Sequence, residues 1–346
     1  MNKLSAVAIG IRRSKEKKVL DVYFPLLTLT KDAAVSKIEK NKFNNISDDV
    51  LEELKNLFNT NLDIYRSFTS STQHYATTSA GYFFLDRLDE PIKSTEEAYL
   101  KLQLISKRIV KPHEINLEGL FGILNNIAWS NKGPILPEDL DEVRLKYIAT
   151  DQPLEVSHVD KFPYLVNYHV PSGVRIASGS QVRLGAYLGE GTTIMPAGYV
   201  NFNAGTLGQA MIEGRVSAGV VVGDKSDVGG GASIMGTLSG GNKTVISIGA
   251  QCLLGANAGT GISLGNGCTI AAGLYVTAGM PIYLVDKDNN PINLEGEKVQ
   301  EPNNCVKAAD LSGKDYLLFI QDSKSGKTIC KPNQKVIELN TSLHVN

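Results

Sequence analysis

Histidine is scarce in this 346-residue chain and absent from its centre. The five histidines are His74, His113, His158, His169 and His344, and none falls between residues 174 and 281. That excludes a histidine base and a three-histidine zinc site from the central stretch. Charge is sparse there too, limited to Arg175, Arg183, Glu190, Glu213, Arg215, Asp224, Lys225, Asp227 and Lys243. Cys252, Cys268, Cys305 and Cys330 form no CxxC pair, which argues against a zinc ribbon or disulfide framework and for reduced thiols. Over the whole chain 35 basic residues balance 36 acidic ones, so no broad attraction to nucleic acid or an anionic membrane is expected. No run of 18 apolar residues appears, and residues 1–30 mix Arg12, Arg13, Lys15, Lys17 and Lys18 into apolar segments without a signal-peptide core. A soluble, cytoplasmic protein is the expectation.

What the centre does have is a period of six. Ile176, Val182, Leu188, Ile194, Val200 and Ile212 share one phase, broken only by Thr206, and a small or modest residue follows each by four. After a four-residue slip the rule resumes at Val222, Val228 and Ile234. Beyond the irregular segment 239–245 it returns at Ile248 and Leu254, and after a further excursion at Leu264, Ile270 and Val276. Six matches neither the 3.6 of a helix nor the alternation of a sandwich strand. It fits short strands and tight turns winding a parallel β-helix, whose coils bury their apolar residues only by stacking. About 18 residues per three-sided coil, at roughly 4.8 Å per coil, gives about six coils. Glycine suits the corners, and 24 of the 33 glycines lie within residues 174–281.

The predicted organisation is mainly β: residues 1–150 as an α+β domain, 151–173 as a connector, 174–281 as the coil and 282–346 as a small β cap. In the first domain, residues 4–11 and 19–29 read as a hairpin. Helices are expected from Ser47, from the capping pair Ser94 and Glu97 up to Pro112, over 117–129 and over 137–148. No chemical motif appears in it. In the cap, strands are expected at 282–285, 316–321, 327–330 and 336–339.

A prism exposing Ala, Gly, Ser and Val with so little charge should bury its faces against copies of itself, and three faces make a homotrimer the first expectation. Clefts between prisms are then the natural sites. With no histidine in the coil, a base must be a carboxylate. Glu190, Asp224 and Asp227 sit in turns where solvated or turn-stabilising roles suffice. Glu213 differs, because it follows the inward Ile212 where the phase slips, with Arg215 two residues on. Either it serves chemistry or it pairs with Arg215 to lock a subunit interface.

The segments 182–193 (VRLGAYLGEGTT), 201–208 (NFNAGTLG), 212–215 (IEGR), 220–224 (VVVGD), 229–240 (GGGASIMGTLSG), 253–257 (LLGAN), 275–279 (YVTAG) and 338–344 (ELNTSLH) resemble the tetrahydrodipicolinate N-succinyltransferase family in its longer-chain branch. Residues 1–150 resemble it more weakly. The resemblance implies a left-handed β-helix, a homotrimer and transfer of succinyl from succinyl-CoA, a cosubstrate, to the amine of tetrahydrodipicolinate in its hydrated or opened form, in lysine and diaminopimelate biosynthesis. It implies no tightly bound cofactor. It puts the catalytic glutamate on Glu213, as general base or as acyl acceptor, and succinyl-CoA contacts on Arg215, Gly230, Ser233, Ala256, Ala271, Ala272, Gly279 and Lys307. Some relatives hold a divalent cation with two acidic residues where this chain has Ser180 and Ala197, so no metal is expected there. Where relatives have Glu-Ala-Gly this chain has Ala271, Ala272 and Gly273, which limits polar contact to the backbone. Another CoA-dependent N- or O-acyltransferase and a noncatalytic trimeric scaffold are the alternatives.

Overall fold

A computed structural model describes residues 4–30, 38–66, 71–73, 75–240, 243–335 and 339. The chain divides into two compact units, Met1–His169 and Val170–Asn346.

In the first unit the expected hairpin forms from Ser5–Lys15 and Lys18–Thr30, and Ala76–Leu85 pairs antiparallel with its first strand. Ala6, Val7, Ala8 and Ile9 are all fully buried, so the sheet is covered on both faces. Leu54, from the helix Asp48–Phe58, and Leu62 fill one side with Val7, Ile9 and Phe84. Ser47 holds that helix's cap position but its side chain makes no capping hydrogen bond. Ser94 does cap: its hydroxyl accepts from the Glu97 N–H at 3.2 Å, while Glu97 accepts from Lys93 N–H. The helix Thr95–Ser106 stops well short of Pro112, because Arg108 turns into the left-handed region at φ 61°.

One expectation fails here. Residues 117–129 are not one helix: a single turn, Leu120–Ile123, gives way to the strand Ile127–Ser130. That strand pairs with Gly133–Ile135 and Val156–Asp160, and Trp129 Nε1 donates to the Asp160 carbonyl at 2.9 Å, so distant pairing overrides the local helical pattern. Residues 151–169, expected as a connector with strand character, do supply a strand, Val156–Asp160, which completes this three-stranded sheet, and they belong to the first unit.

The second unit is a parallel β-helix with three ladders. One stacks Ile176, Ile194, Ile212, Val228, Leu254 and Ile270. The next stacks Val200, Val216, Ile234, Thr260 and Val276, and the third Leu188, Thr206, Val222 and Ile248, with Leu264 bridged to Ile248. Almost all these side chains are fully buried, each contributing about 1.5–3 kcal/mol where it is Val, Leu or Ile. The two inward threonines keep their hydroxyls satisfied. Thr206 Oγ1 accepts from Gly189 N–H and lies 2.6 Å from Thr192 Oγ1; Thr260 Oγ1 donates to the Ile262 carbonyl at 2.7 Å. Cys252 and Cys268 are buried free thiols at small-residue positions.

The phase slips prove to be shortened corners. Val216, which the sixfold count assigns to the small-residue phase, and Thr260, which follows Leu254 by six but is polar, are themselves inward, so Ile212 to Val216 and Thr260 to Leu264 each advance by four instead of six. The irregular segment after Ile234 is an inserted excursion, joined by the Thr237–Val245 bridge, that lies back across Gly261 and accepts Ala278 N–H on Ser239 Oγ at 2.6 Å.

Beyond the coil, Leu317–Gln321 pairs parallel with the strand holding Thr269 and Ile270, and Phe319, fully buried, closes the prism's open end. Pro281–Leu284 and Thr328–Pro332 join it, together with Cys305–Lys307, a strand not expected from sequence. The strand expected over 336–339 and the motif 338–344 lie essentially outside the described residues.

His169 supplies a test of the first unit. Burial, reinforced by Lys107 and Arg108, lowers its pKa from 6.5 to about 4. The unfolded chain therefore binds a proton that the folded one refuses between those values, and stability should fall as pH drops from 6.5 towards 4. Melting curves over that window should steepen this loss in the wild type relative to His169→Gln.

Candidate functional site

The corner that follows the Ile212 ladder recurs on successive coils. Four residues make it between Ile194 and Tyr199, between Val228 and Ser233, between Leu254 and Gly259, and between Ile270 and Tyr275. Glu213 and Gly214 alone make it between the strands Ala210–Ile212 and Arg215–Val216. The edge of the prism is thus indented where Glu213 stands. Such a tight corner demands Gly214: a Cβ there would stand 2.4 Å from the Ala232 carbonyl oxygen and 2.9 Å from Val228 Cγ1.

Backbone bonds hold Glu213 firmly. Its N–H donates to the Val228 carbonyl at 2.8 Å, and its carbonyl accepts from Gly231 N–H at 3.3 Å. The side chain is half-buried, and Oε2 lies 3.4 Å from where a Cβ on Gly230 would be. Its carboxylate has no hydrogen-bond or ion-pair partner among the described residues. In particular it is not paired with Arg215 within the chain, as the interface-lock reading would have allowed. Arg215 is exposed and its Nη2 donates to Ser233 Oγ at 2.6 Å.

Several sequence-predicted residues gather on this one stacked corner. Gly230, Ala256, Ala271 and Ala272 occupy it on the coils that follow Glu213. The N–H groups of Gly230, Ala256 and Ala272 have no acceptor among the described residues, so a row of open donors runs up the edge. Ala271 differs, since its N–H already donates to the Phe319 carbonyl at 3.0 Å. Arg215 and Ser233 flank the corner on the adjoining face, in register with each other. Gly279 and Lys307 stand elsewhere, at the next corner on the cap side: Lys307 faces Pro281, and Ala308 N–H donates to the Met280 carbonyl at 2.9 Å. A further group, absent from the predicted set, joins through Ser233: the Tyr275 hydroxyl lies 3.4 Å from Ser233 Oγ. Only its place in the motif 275–279 pointed to it.

A charged hollow of the first unit is internally neutralised. It measures about 380 Å³ and is lined by Asp86, Arg87, Glu90, Lys93 and Glu97, whose charges are ion-paired with one another or with Lys40, Asp89 and Lys101. Ser180 lies in the short turn Gly179–Gln181 with its Oγ 3.0 Å from Ser178 Oγ. Among the described residues no group of three or more His, Cys, Asp or Glu is arranged to hold a metal, and no helix is long and apolar enough to cross a membrane.

Sixfold inward ladders with a chemically equipped corner define a hexapeptide-repeat protein, and residues 245–278 match the family described as hexapeptide repeat of succinyl-transferase. Residues 5–122 and 124–164 match the N-terminal and middle families of tetrahydrodipicolinate N-succinyltransferase, so the likeness reaches well beyond the coil. A 2,3,4,5-tetrahydropyridine-2,6-dicarboxylate N-succinyltransferase of Vibrio cholerae is 49% identical over 258 residues, 75% of this chain and 72% of that protein. One of Pseudomonas aeruginosa is 53% identical over the same shares. A crystal structure from Campylobacter jejuni, described as a 2,3,4,5-tetrahydropyridine-2-carboxylate N-succinyltransferase, superposes with a TM-score of 0.80 at 34% identity, covering 98% of this chain and 94% of its own. The chain belongs to the tetrahydrodipicolinate N-succinyltransferase family and is an acyltransferase.

The two glycines beside Glu213 make opposite predictions. Gly214→Ala should lower the melting temperature clearly, because backbone must move to admit the methyl. Gly230→Ala should melt close to the wild type, since its methyl would meet only the Glu213 carboxylate. Differential scanning calorimetry of both variants checks this.

Proposed function

We propose that the protein transfers succinyl from succinyl-CoA to the amine of tetrahydrodipicolinate, in lysine and diaminopimelate biosynthesis, with Glu213 as the base. The observation that carries this reading is the unpaired, half-buried Glu213 carboxylate in an indented corner beside Gly230. Water added across the acceptor's C=N bond, with or without ring opening, makes its nitrogen an amine; that nitrogen attacks the thioester carbon, and its N–H proton passes to Glu213. The tetrahedral oxyanion then collapses, breaking the carbon–sulfur bond and releasing CoA thiolate. A carboxylate without a competing cation keeps a lone pair for that proton. Open N–H donors at Gly230, Ala256 and Ala272 suit the developing oxyanion and the amide-rich arm of CoA, and Arg215 suits a carboxylate. Gly279 lies at the cap-side corner as a further CoA contact, and Lys307, exposed on the cap, is suited to the phosphates at the far end of CoA.

The same reading includes a left-handed coil and a homotrimer. The site is an open edge and not an enclosed cavity, which fits completion by a neighbouring prism. An acyl-glutamyl anhydride at Glu213 is the competing course. It differs in that succinyl-CoA alone would release CoA and leave succinyl on the enzyme.

Release of CoA from succinyl-CoA, with and without tetrahydrodipicolinate, tests the proposal. Acceptor-dependent release is expected, with acetyl-CoA a poorer donor, and Glu213→Gln should reduce kcat about 10²–10⁴-fold. Full activity of Glu213→Gln would sink the assignment. A burst of CoA in the absence of acceptor would replace the general base with the anhydride.

A further inference from the structure

On the face that follows the Glu213 corner, the outward positions stack in register as Tyr199, Arg215, Ser233, Gly259 and Tyr275. Gly259 leaves a gap in this column. The Tyr275 ring folds back into it: a Cβ on Gly259 would stand 2.2 Å from Tyr275 Cε2 and 2.3 Å from Cδ2. The ring thereby spans a whole coil and brings its hydroxyl to 3.4 Å from Ser233 Oγ, which is itself 2.6 Å from Arg215 Nη2. Any side chain at position 259 would close this path.

We infer that Tyr275 is a specificity-determining residue, which together with Arg215 and Ser233 holds a carboxylate of one of the two reactants. Three donor groups converge here, a guanidinium and two hydroxyls, and none of the five column residues is acidic. Arg215 makes no ion pair, and its charge is uncompensated, among the described residues. At 3.4 Å the hydroxyl–hydroxyl approach is too long to be a good O–H···O bond, which leaves the Tyr275 proton available to an oxygen arriving between the two. A carboxylate matches a guanidinium in both charge and planar geometry. Held there, it would lie two residues along the chain from Glu213. The choice of reactants rests on the succinyltransferase reading, in which the donor's succinyl group and the acceptor both carry carboxylates. The column itself recognises the shared chemistry.

Calorimetry separates the two sources without relying on turnover. Succinyl-CoA is compared with CoA to isolate the donor carboxylate, and pimelate, a linear dicarboxylate with the acceptor's seven carbons, probes the other. Tyr275→Phe keeps the ring over Gly259 and should melt like the wild type, while weakening one of these carboxylate ligands about 10-fold or more. Loss of the preference for succinyl-CoA over CoA assigns the donor; weaker pimelate binding alone assigns the acceptor. In steady-state assays the same variant should raise KM for that reactant and leave kcat nearly unchanged. Unaltered binding of both ligands in Tyr275→Phe overturns the inference, as does a wild type that neither prefers succinyl-CoA to CoA nor binds pimelate. A wild type that binds carboxylate but releases no CoA would instead sink the succinyltransferase reading and leave this site standing.

Discussion

Stacking of one inward side chain per face on its neighbours in the coils before and after is the constraint on which the second unit depends. A single coil has no interior of its own, and a strand of two or three residues supplies too few hydrogen bonds to persist alone. The register of the three ladders therefore tolerates no slip, and the buried Ile, Val and Leu positions hold it from Ile194 to Val276. What the ladders do not fix is the length of chain between them. Two corners lose two residues, and one excursion adds a bridged loop, without any inward position being displaced. Variation is confined to corners, and chemistry follows it there.

Glu213 illustrates the consequence. A carboxylate on a flat strand face would be solvated or would attract the nearest cation, and Arg215 is close in sequence. The two-residue corner turns Glu213 and Arg215 onto different sides of an edge, so that Arg215 reaches Ser233 on the adjoining face and Glu213 faces Gly230. Separation of the carboxylate from the guanidinium by corner geometry keeps both available. The glycines serve this in two ways: Gly214 lets the chain turn so sharply, and Gly259 lets an aromatic ring lie across a coil that is not its own.

Much of this was legible in the chain. Branched aliphatics every six residues give the ladders, and of the four carboxylates in a histidine-free coil only Glu213 stands directly where the phase slips. The count failed where inward residues were not aliphatic or corners were short: Thr260 hides as a polar residue whose hydroxyl is satisfied two residues away, and Val216 falls on the wrong phase once two residues are missing. Residues 117–129 misled because the partner that makes 127–130 a strand lies some thirty residues on, at Val156–Asp160. The path of Tyr275 back over Gly259 has no local signal, since it joins residues one coil apart. Gly279 and Lys307 come near each other only through the pairing of Pro281–Leu284 with Cys305–Lys307.

The central claim is that the shortened corner, and not merely the presence of a glutamate, makes the site. Inserting two residues between Glu213 and Gly214 restores the four-residue corner of the neighbouring coils and leaves every inward position in place. Succinyl transfer from succinyl-CoA by that variant, measured beside its melting temperature, is the direct test. A folded protein with a near-native melting temperature and transfer reduced at least about 10²-fold is the predicted result; near-native transfer from the lengthened corner would contradict the account.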